Sequence, residues 1–344
     1  MVNYKDYARK FLAECRDSLR QQSYPDFCVY IVDNASSEES RNFLRTDYPE
    51  AVVLPREDGN YAAANNAGLK KAREDGCEYL VIANMDIKFD EDWLTELVKA
   101  WEDADNPGMV QSKIMLYPQT GEEVKINSLG NIQHFFGFGF IEGYLGGDRE
   151  IGGLPEIKGY ASGCAFLTSK EIIEKIGEYD EEYWMYHDDL EMGWRVKLAG
   201  YKIYLSPRSV VYHKYEFGRS VRMLYYMERN RFLAILHYYK WPTLFLVLPA
   251  LVAMDLGMIA YSIPGKWFGV KMRANLYFLK PSTWVKIIKK RRKIKKLRKV
   301  KDREVVKDFA GKVLFQEIDN PILKYIANPV FNLYWQIVKK FIIW

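Results

Sequence analysis

Two short stretches of this 344-residue chain carry side chains that could act on a diphosphate and on a hydroxyl group. The first, Asn84-Met85-Asp86, places an amide and a carboxylate after an apolar run, and the second contains Asp188, Asp189 and Glu191. Oxygen ligands suit Mg²⁺ or Mn²⁺, which often complete their shells with phosphate oxygens. A carboxylate among other acids can be held ready to accept a proton. We therefore expect a metal site for a diphosphate and a general base.

Both stretches also have a structural interpretation. An Asp after a strand often caps a turn, and acids in a first helical turn interact favourably with the helix dipole. Helical spacing would put Asp188 and Glu191 on one face and turn Asp189 aside. His213 follows a strand-like run and could be a further metal ligand, and Arg219 could meet phosphate, although a lone histidine is usually structural.

Two further segments combine small or polar residues at the start of a helix. Residues 33–37, which begin with Asp33 and Asn34, could contact a nucleobase or ribose, or could simply cap the next helix. Residues 59–68 include Asn60 and Asn65 among small residues. They could bring a phosphate to a helix N-terminus, or could serve tight packing of the helix on a sheet.

Strand-like and helix-like segments alternate along the first hundred residues, which predicts a parallel sheet with helical crossovers. Ligands of such sheets bind beyond the carboxyl ends of the strands. We predict helices at residues 5–22, 38–46, 60–74, 92–104 and 188–200, and strands at 27–32, 51–54, 78–83, 202–205 and 210–212. Residues 130–153 read as a loop or short hairpin, and residues 159–168 are strand-like.

The composition, 49% apolar and 28% charged, is typical of a folded protein. The four cysteines are far apart without a CxxC pair, which favours reduced thiols over a zinc ribbon or a dithiol site. Residues 1–19 lack the apolar core of a signal peptide. The net charge of +5 is concentrated in residues 286–307. No nucleic-acid-binding fold signal accompanies that basic run, so we expect no nucleic-acid partner.

Residues 244–263 form an apolar run long enough to span a bilayer, but Pro249 and Asp255 interrupt it. A single span would put the basic run and the first 240 residues on opposite sides of the membrane, against the positive-inside rule. We therefore favour a bent or interfacial insertion, with residues 286–307 on anionic head groups. The alternative for the basic run is a solvated helix.

In order along the chain, these segments resemble the family 2 glycosyltransferases with the GT-A fold, and most closely the rhamnosyltransferase-like branch that builds cell-surface polysaccharides. The likeness covers about residues 1–240. The matching segments are Val2-Asn3-Tyr4, Gln22-Ser23-Tyr24-Pro25, Val32-Asp33-Asn34-Ala35-Ser36, Asn60-Tyr61-Ala62-Ala63-Ala64-Asn65-Asn66, Asn84-Met85-Asp86, Ser162-Gly163-Cys164, Asp188 through Arg195, and His213 with Ser220.

The resemblance implies an α/β, Rossmann-like GT-A fold with a mixed, mainly parallel sheet and a C-terminal membrane-associated helical tail. The implied domains are a transferase domain at 1–240, an apolar inserting segment at 241–285, and a basic, amphipathic tail at 286–344. The implied place is the cytoplasmic face of the cell membrane, as a peripheral or monotopic protein.

The implied reaction is inverting transfer of a sugar from a nucleotide-diphospho-sugar donor to a hydroxyl of a lipid-linked or polysaccharide acceptor. Asp189 would be the general base, with Asp188 as the fallback, while Asp86 and His213 would hold a divalent Mg²⁺ or Mn²⁺. The implied nucleotide contacts are Asn3, Tyr4, Asp33, Asn34, Asn60, Asn65, Asn84 and Arg219. The implied contacts to the acceptor or donor sugar are Ser162, Gly163, Cys164, Glu191 and Trp194.

The chain departs from the family pattern at its first strand, which is cut to Met1-Val2 where the family has a full apolar strand. We therefore expect either a start upstream of Met1 or a defective sheet. The segment Asp58-Gly59-Asn60 replaces the family's Asn-x-Gly. Two alternatives stay open: a synthase that loads a sugar onto polyprenyl phosphate, and a non-catalytic sugar-binding or scaffold subunit.

Overall fold

A computed structural model describes residues 1–118, 123–215, 221–314 and 321–344. The chain forms two units. The first contains Met1–Asn131, Ile141–Val196 and Tyr201–Glu216, and the second contains Ile132–Phe140, Lys197–Gly200 and Phe217–Trp344. The predicted three-part division at residues 240 and 285 stays a prediction.

The chain up to His213 alternates strands and helices. Its elements are β1 (Val2–Tyr4), α1 (Tyr7–Arg20), β2 (Tyr30–Asn34), α2 (Glu38–Asp47), β3 (Val52–Arg56), α3 (Tyr61–Glu74), β4 (Tyr79–Ala83), β5 (Ile87–Phe89), α4 (Trp93–Asp103), β6 (Pro107–Leu116), β7 (Ile126–Ser128), β8 (Asn131–Gln133), β9 (Gly139–Ile141), β10 (Ala165–Ser169), α5 (Lys170–Ile176), α6 (Asp188–Leu198) and β11 (Lys202–His213). The predicted helices are therefore present, and the predicted pair of short strands near residue 205 is the single strand β11.

The helices begin and pack as their sequences predict. Helix α1 buries Phe11, Cys15 and Leu19, which recur at helical spacing. Helix α2 begins at Ser37, whose hydroxyl accepts a hydrogen bond from the Ser40 amide. Asn60 caps helix α3 in the same way, because its side chain accepts from the Ala63 amide.

The strands form two main sheets in the first unit. One has the order β1-β2-β3 and is parallel. The other has the order β4-β10-β6-β11-β5, with β7 beside β6. In it only β6 and β11 run parallel, because β10 enters between β4 and β6 in the opposite direction and β5 and β7 also pair antiparallel. The expected mainly parallel sheet is thus a mixed one.

No ladder joins the two sheets among the described residues. Within the described residues, β1 pairs with β2 alone and β4 pairs with β10 alone. Each of these strands consequently has one edge without a ladder partner. The expectation of either an upstream start or a defective sheet stays a prediction.

The described residues of the second unit beyond residue 220 are mainly helical. Its helices are α7 (Val221–Tyr238), α8 (Trp241–Ser262), α9 (Phe268–Leu276), α10 (Pro281–Leu297), α11 (Asp302–Val306) and α12 (Asn328–Val338), with a π-helical stretch at Leu323–Ala327. Glu228 of α7 is buried beside Arg231 and Lys271, and Lys271 also pairs with Asp255 at 2.5 Å. Among the described residues, α8 alone is long and apolar enough to cross a membrane.

Candidate active site

Asp86 and His213 lie together because of the way β5 and β11 pair. Ile87, the residue after Asp86, is opposite His213 in this antiparallel ladder. The His213 Nε2 atom is 3.3 Å from Asp86 Oδ2, and the Tyr7 hydroxyl donates a 2.6 Å hydrogen bond to the same oxygen. Both side chains are buried. The predicted metal pair is therefore one contiguous site.

The surroundings of this pair shift the pKa values of both side chains. Burial alone lowers the pKa of His213, but the neighbouring Cys164 thiol and Asp86 carboxylate raise that pKa to about 10. Burial raises the pKa of Asp86, but hydrogen bonds from His213 and Tyr7 bring it below its usual value. The His213 Nδ1 atom lies 2.9 Å from Asn127 Oδ1, and a bond donated there leaves Nε2 as the ligand atom when the ring is neutral.

The geometry of Asp86 and His213 fits a small divalent cation. The Asp86 Oδ1 atom is buried without a hydrogen-bond partner among the described residues. Two ligands about 2.1 Å from one octahedral ion lie about 3 Å apart, close to the separation found here. The described part of the chain offers no cluster of three or more His, Cys, Asp or Glu side chains for a metal. A cation here would therefore need further ligands from phosphate or water.

The second acidic site lies at the start of α6. Burial, the charge of Asp189 and that of Glu191 raise the pKa of Asp188 to about 8. Burial also raises the pKa of Asp189, to about 6. Hydrogen bonds from the backbone amides of Gly163 and Leu190 oppose this rise. Both carboxyl groups therefore hold protons more tightly than a free aspartate, and the two protons belong to the pair as a whole.

The turn Ser162-Gly163-Cys164 lies between the two acidic sites and contacts both. The Gly163 amide donates to Asp189 Oδ2 at 3.2 Å, while the Cys164 thiol lies beside His213. The Cys164 carbonyl accepts a 2.8 Å bond from the Asn84 amide. The structure thus brings the predicted metal pair, the predicted base and the Ser162–Cys164 turn into one region of the first unit.

Asparagines of α3 hold the loop that precedes Asp188. Asn60 donates to the Glu181 carbonyl at 3.0 Å, and Asn66 exchanges two hydrogen bonds with the backbone of Tyr179. The sequence offered no sign of this role for Asn66. In the same loop Trp184, Tyr186 and His187 adopt positive φ angles of 66°, 63° and 60°, a conformation that is costly for residues other than glycine.

Most of the asparagine and aspartate side chains predicted to bind a nucleotide are engaged inside the first unit. Asp33 is fully buried and accepts from Asn3, Ser36 and Arg41. Asn34 bridges the backbone of residues 59 and 60. Asn65 donates to the Tyr61 carbonyl, four residues earlier.

Tyr4 and Asn84 are more accessible than those buried groups. Tyr4 is 39% exposed, and the Asn84 amide oxygen accepts from the Tyr61 hydroxyl at 3.2 Å. Arg219 lies outside the described residues. Of the predicted nucleotide contacts that are described, Tyr4 and Asn84 therefore offer the most surface to a ligand.

Two predicted sugar contacts lie in the interior. Glu191 is fully buried and pairs with Arg195 at 2.7 Å, and Arg195 also donates to the carbonyls of Ile176 and Gly177. Trp194 is only 2% exposed. These side chains hold α6 against α5 and leave no surface for a sugar, so we omit both from the proposed site.

Comparison with known proteins gives consistent matches. The profile described as Glycosyl transferase family 2 matches residues 1–177. The O-antigen biosynthesis protein RfbC of Myxococcus xanthus is 26% identical over 263 residues, which are 70% of this chain and 19% of that protein. The low-salt glycan biosynthesis hexosyltransferase Agl10 of Haloferax volcanii is 24% identical over 218 residues, 59% of this chain and 66% of that protein.

A solved glycosyltransferase structure has a similar fold. The crystal structure of GalNAc-T7 with UDP, GalNAc and Mn²⁺ aligns with 80% of this chain and 53% of its own, with a TM-score of 0.56 and 14% identity. The prediction of a GT-A-like mixed α/β fold is confirmed at this level. The profile match covers more than half of the chain, and the chain belongs to glycosyl transferase family 2.

Proposed function

We propose that this chain is an inverting, metal-assisted glycosyltransferase that moves a sugar from a nucleotide-diphospho-sugar to a hydroxyl of a glycan or lipid-linked glycan. One observation carries the proposal: the turn Ser162–Cys164 contacts both Asp189 and His213. A cation-binding pair and an acid with a raised pKa therefore flank one short segment. Direct displacement at a sugar carbon needs these two functions close together.

Asp86 and His213 would hold the divalent cation, and the Tyr7 hydroxyl would orient the carboxylate through its 2.6 Å bond. When bound, such an ion neutralises the charge that builds on a departing diphosphate. The crystal structure of GalNAc-T7 contains UDP and Mn²⁺. We extend both ligand classes, a nucleoside diphosphate and a divalent cation, to this chain as part of the proposal.

Asp189 would take the proton of the acceptor hydroxyl as that oxygen attacks the anomeric carbon. Burial raises its pKa, which makes it basic enough to share the proton in the transition state. The pKa of Asp188 is raised as well, so the pair would hold a proton in common beside the acceptor. A single displacement inverts the configuration, because retention needs a second nucleophile.

A panel of nucleotide sugars tested by thermal shift with and without Mn²⁺ examines the donor site. The true donor should raise the melting temperature with Mn²⁺ by mass action. Asp86→Asn should abolish the Mn²⁺-dependent part of that rise, while Asp103→Asn, which changes an exposed acid of α4, should leave it intact. A donor that stabilises both variants equally would refute the assignment of Asp86.

Product analysis separates the proposal from its alternatives. Release of nucleoside diphosphate with a glycan acceptor supports the transferase. Transfer to polyprenyl phosphate alone would favour the synthase instead. Donor binding without release under any acceptor condition would favour a non-catalytic sugar-binding subunit.

The second unit supports a membrane-associated location, which we propose as a peripheral or monotopic attachment to the cytoplasmic face. Along α8 one stripe is buried and another is exposed: Phe245 is 71% and Leu256 61% accessible, and Leu248 and Val252 lie between them. Helix α12 exposes apolar side chains too, including Val330 and Leu333. An apolar face of this kind is typical of interfacial insertion.

The charge within α8 is neutralised inside the second unit. Asp255 pairs with Lys271 and accepts a 2.9 Å bond from Asn275. The helix can therefore present its apolar stripe to lipid without moving a free carboxylate into the bilayer, which supports insertion at the interface over a simple span. The lysines and arginines of α10 would meet anionic head groups.

Flotation with phosphatidylserine-containing vesicles tests the attachment. Replacing Phe245 and Leu256 by serine should reduce the bound fraction severalfold, because both side chains are exposed apolar groups. The matched control is Leu145→Ser, which removes an exposed leucine from the first unit. Equal flotation of the control and the double variant would contradict the proposed face.

A further inference from the structure

Asn127 of β7 is a buried polar residue that contacts the Asp86–His213 pair from a distant part of the chain. Its side-chain oxygen Oδ1 lies 2.9 Å from His213 Nδ1, and the residue is 4% exposed. Strand β6 lies between the two residues, because Met115 of β6 is opposite β11 on one edge and opposite β7 on the other. The Asn127 side chain therefore reaches His213 across a strand.

A bulge in β7 directs this side chain. In the β6–β7 ladder, two neighbouring residues of β6 are opposite Ile126 and Ser128, which leaves Asn127 as an extra residue. A bulge of this kind turns the side chain of the extra residue and is common beside active sites. The bulged strand is also held in place from the side of residues 145–146, whose backbone exchanges two hydrogen bonds with Ile126.

The Asn127 oxygen determines which nitrogen of His213 is available to a cation. An amide oxygen only accepts hydrogen bonds, so the Nδ1 atom that faces it must carry a proton. The other nitrogen, Nε2, lies 3.3 Å from Asp86 Oδ2, on the side where a shared cation would bind. The Cys164 thiol also lies beside His213, but a thiol is a weaker hydrogen-bond acceptor than an amide oxygen.

The nitrogen of the same amide supports a role for its oxygen. The Asn127 Nδ2 atom is buried without a hydrogen-bond partner among the described residues. A buried donor left unpaired is destabilising, and a leucine, which has nearly the same shape, would not carry that donor. The amide is therefore better explained by the contact of its oxygen with His213 than by packing.

We propose that Asn127 is a positioning residue of the metal site, which holds the His213 ring so that Nε2 faces a divalent cation shared with Asp86. The inference rests on the proposed function, because it needs the cation at that pair. Histidines that bind metals almost always donate their second N–H to an oxygen, and such partners orient the ring and strengthen metal binding. Asn127 would supply this oxygen without touching the ion.

Binding of Mn²⁺ alone to the full chain, measured by electron paramagnetic resonance of the free ion, tests this role without glycosyl transfer. Asn127→Leu should raise the dissociation constant roughly tenfold or more, because the His213 ring loses its partner. Asn127→Asp keeps an oxygen at the same place, so it should bind Mn²⁺ at least as tightly as the unmodified chain. The control, Asn131→Leu, changes another asparagine that is only 5% exposed and should leave binding unchanged.

The aspartate variant separates positioning from packing. If Asn127 only packed β7, a buried carboxylate would disturb the strand as much as a leucine does, so weak binding by both variants would overturn the proposal. Asp86→Asn separates that outcome from failure of the metal site. Loss of Mn²⁺ binding in Asp86→Asn with unchanged binding in Asn127→Leu would overturn the role of Asn127 alone. Binding that Asp86→Asn does not weaken would overturn the metal site of the proposed function and this role with it.

Discussion

Buried carboxylates occur in both units, and their surroundings shift their pKa values in opposite directions. In the first unit, burial and neighbouring acids raise the pKa of Asp188 to about 8, and burial raises that of Asp189 to about 6. In the second, burial opposes ionisation of Glu228, but Arg231 and Lys271 lower its pKa to about 2. Asp188 and Asp189 have no ion-pair partner among the described residues, whereas Glu228 has two cations.

This difference separates a chemical site from a structural one. A carboxylate between two cations is permanently ionised, so it can stabilise packing but cannot exchange a proton near neutral pH. A carboxylate pair without cations shares its protons over the physiological range. The first arrangement joins α7 to α9, and the second provides the proposed base.

The largest effect should come from Asp189→Asn. The amide cannot accept the hydroxyl proton, so kcat should fall roughly 10³-fold, as is typical of a lost general base. Melting temperature should change little, because removal of a buried charge without a cation beside it is offset by the loss of one backbone hydrogen bond that the amide nitrogen cannot accept. Nucleoside diphosphate release and thermal unfolding measure the two quantities.

Asp188→Asn is the matched control for that change. An asparagine mimics the protonated acid, so its kcat should fall only about tenfold. An equal loss in both variants would remove the distinction between Asp188 and Asp189. More than a tenth of normal activity in Asp189→Asn would show that Asp189 is not the base.

The next effect in size should be that of Lys271→Met on stability. The change leaves Glu228 with one cation and Asp255 without its 2.5 Å partner. Removing one member of a buried ion network costs about 3–5 kcal/mol of unfolding free energy. Urea denaturation measures this, and Lys280→Met is the control at an exposed lysine of the same unit. A loss no larger than that of the control would contradict the structural role of the network.

The smallest effect should be a difference in the pH dependence of stability. A raised pKa means that the folded state binds more protons than the unfolded state, so Asp188 and Asp189 reduce stability as pH rises from about 4 to 8. The lowered pKa of Glu228 acts oppositely, and its contribution is lost as pH falls from about 4.5 toward 2.

The double variant Asp188→Asn with Asp189→Asn isolates the first of these contributions. At pH 8 it should exceed the unmodified chain in unfolding free energy, and at pH 4 the two should be nearly equal. Chemical denaturation at both pH values gives the comparison. A gain that is larger at pH 4 than at pH 8 would reverse the sign assigned to the pair.

Secondary structure was predictable where local signals agree, and less so where long-range contacts decide. Helix α3 was predicted because its cap, Asn60, precedes a run of small residues. Strand β6 was missed because it carries Gln111, Ser112 and Lys113 on buried positions. The Ser162 amide binds Gln111 and the Trp93 indole binds Ser112, and neither partner is near in sequence. Polar strand residues with distant partners hide the alternation that identifies a strand.

Site prediction shows the same limit. Asp86, His213 and Asp189 were predicted together from motif order, and the structure brings them into one region. For Asn60 and Asn65 the sequence allows two roles, at a phosphate near the helix N-terminus or in packing of the helix on the sheet. Both side chains are buried, where each amide needs internal partners. Whether an amide faces a ligand or the protein depends on the neighbouring loop, which local sequence does not reveal.

The loop before Asp188 has a consequence for engineering. Trp184, Tyr186 and His187 are held at positive φ, at a cost of about 1 kcal/mol or more each. Glycine accepts this conformation, so Tyr186→Gly would relieve strain yet give the unfolded chain and the loop more freedom. These residues immediately precede Asp188 and Asp189, so relaxing them would free the segment that leads into the proposed base. Stabilising changes are therefore better placed elsewhere.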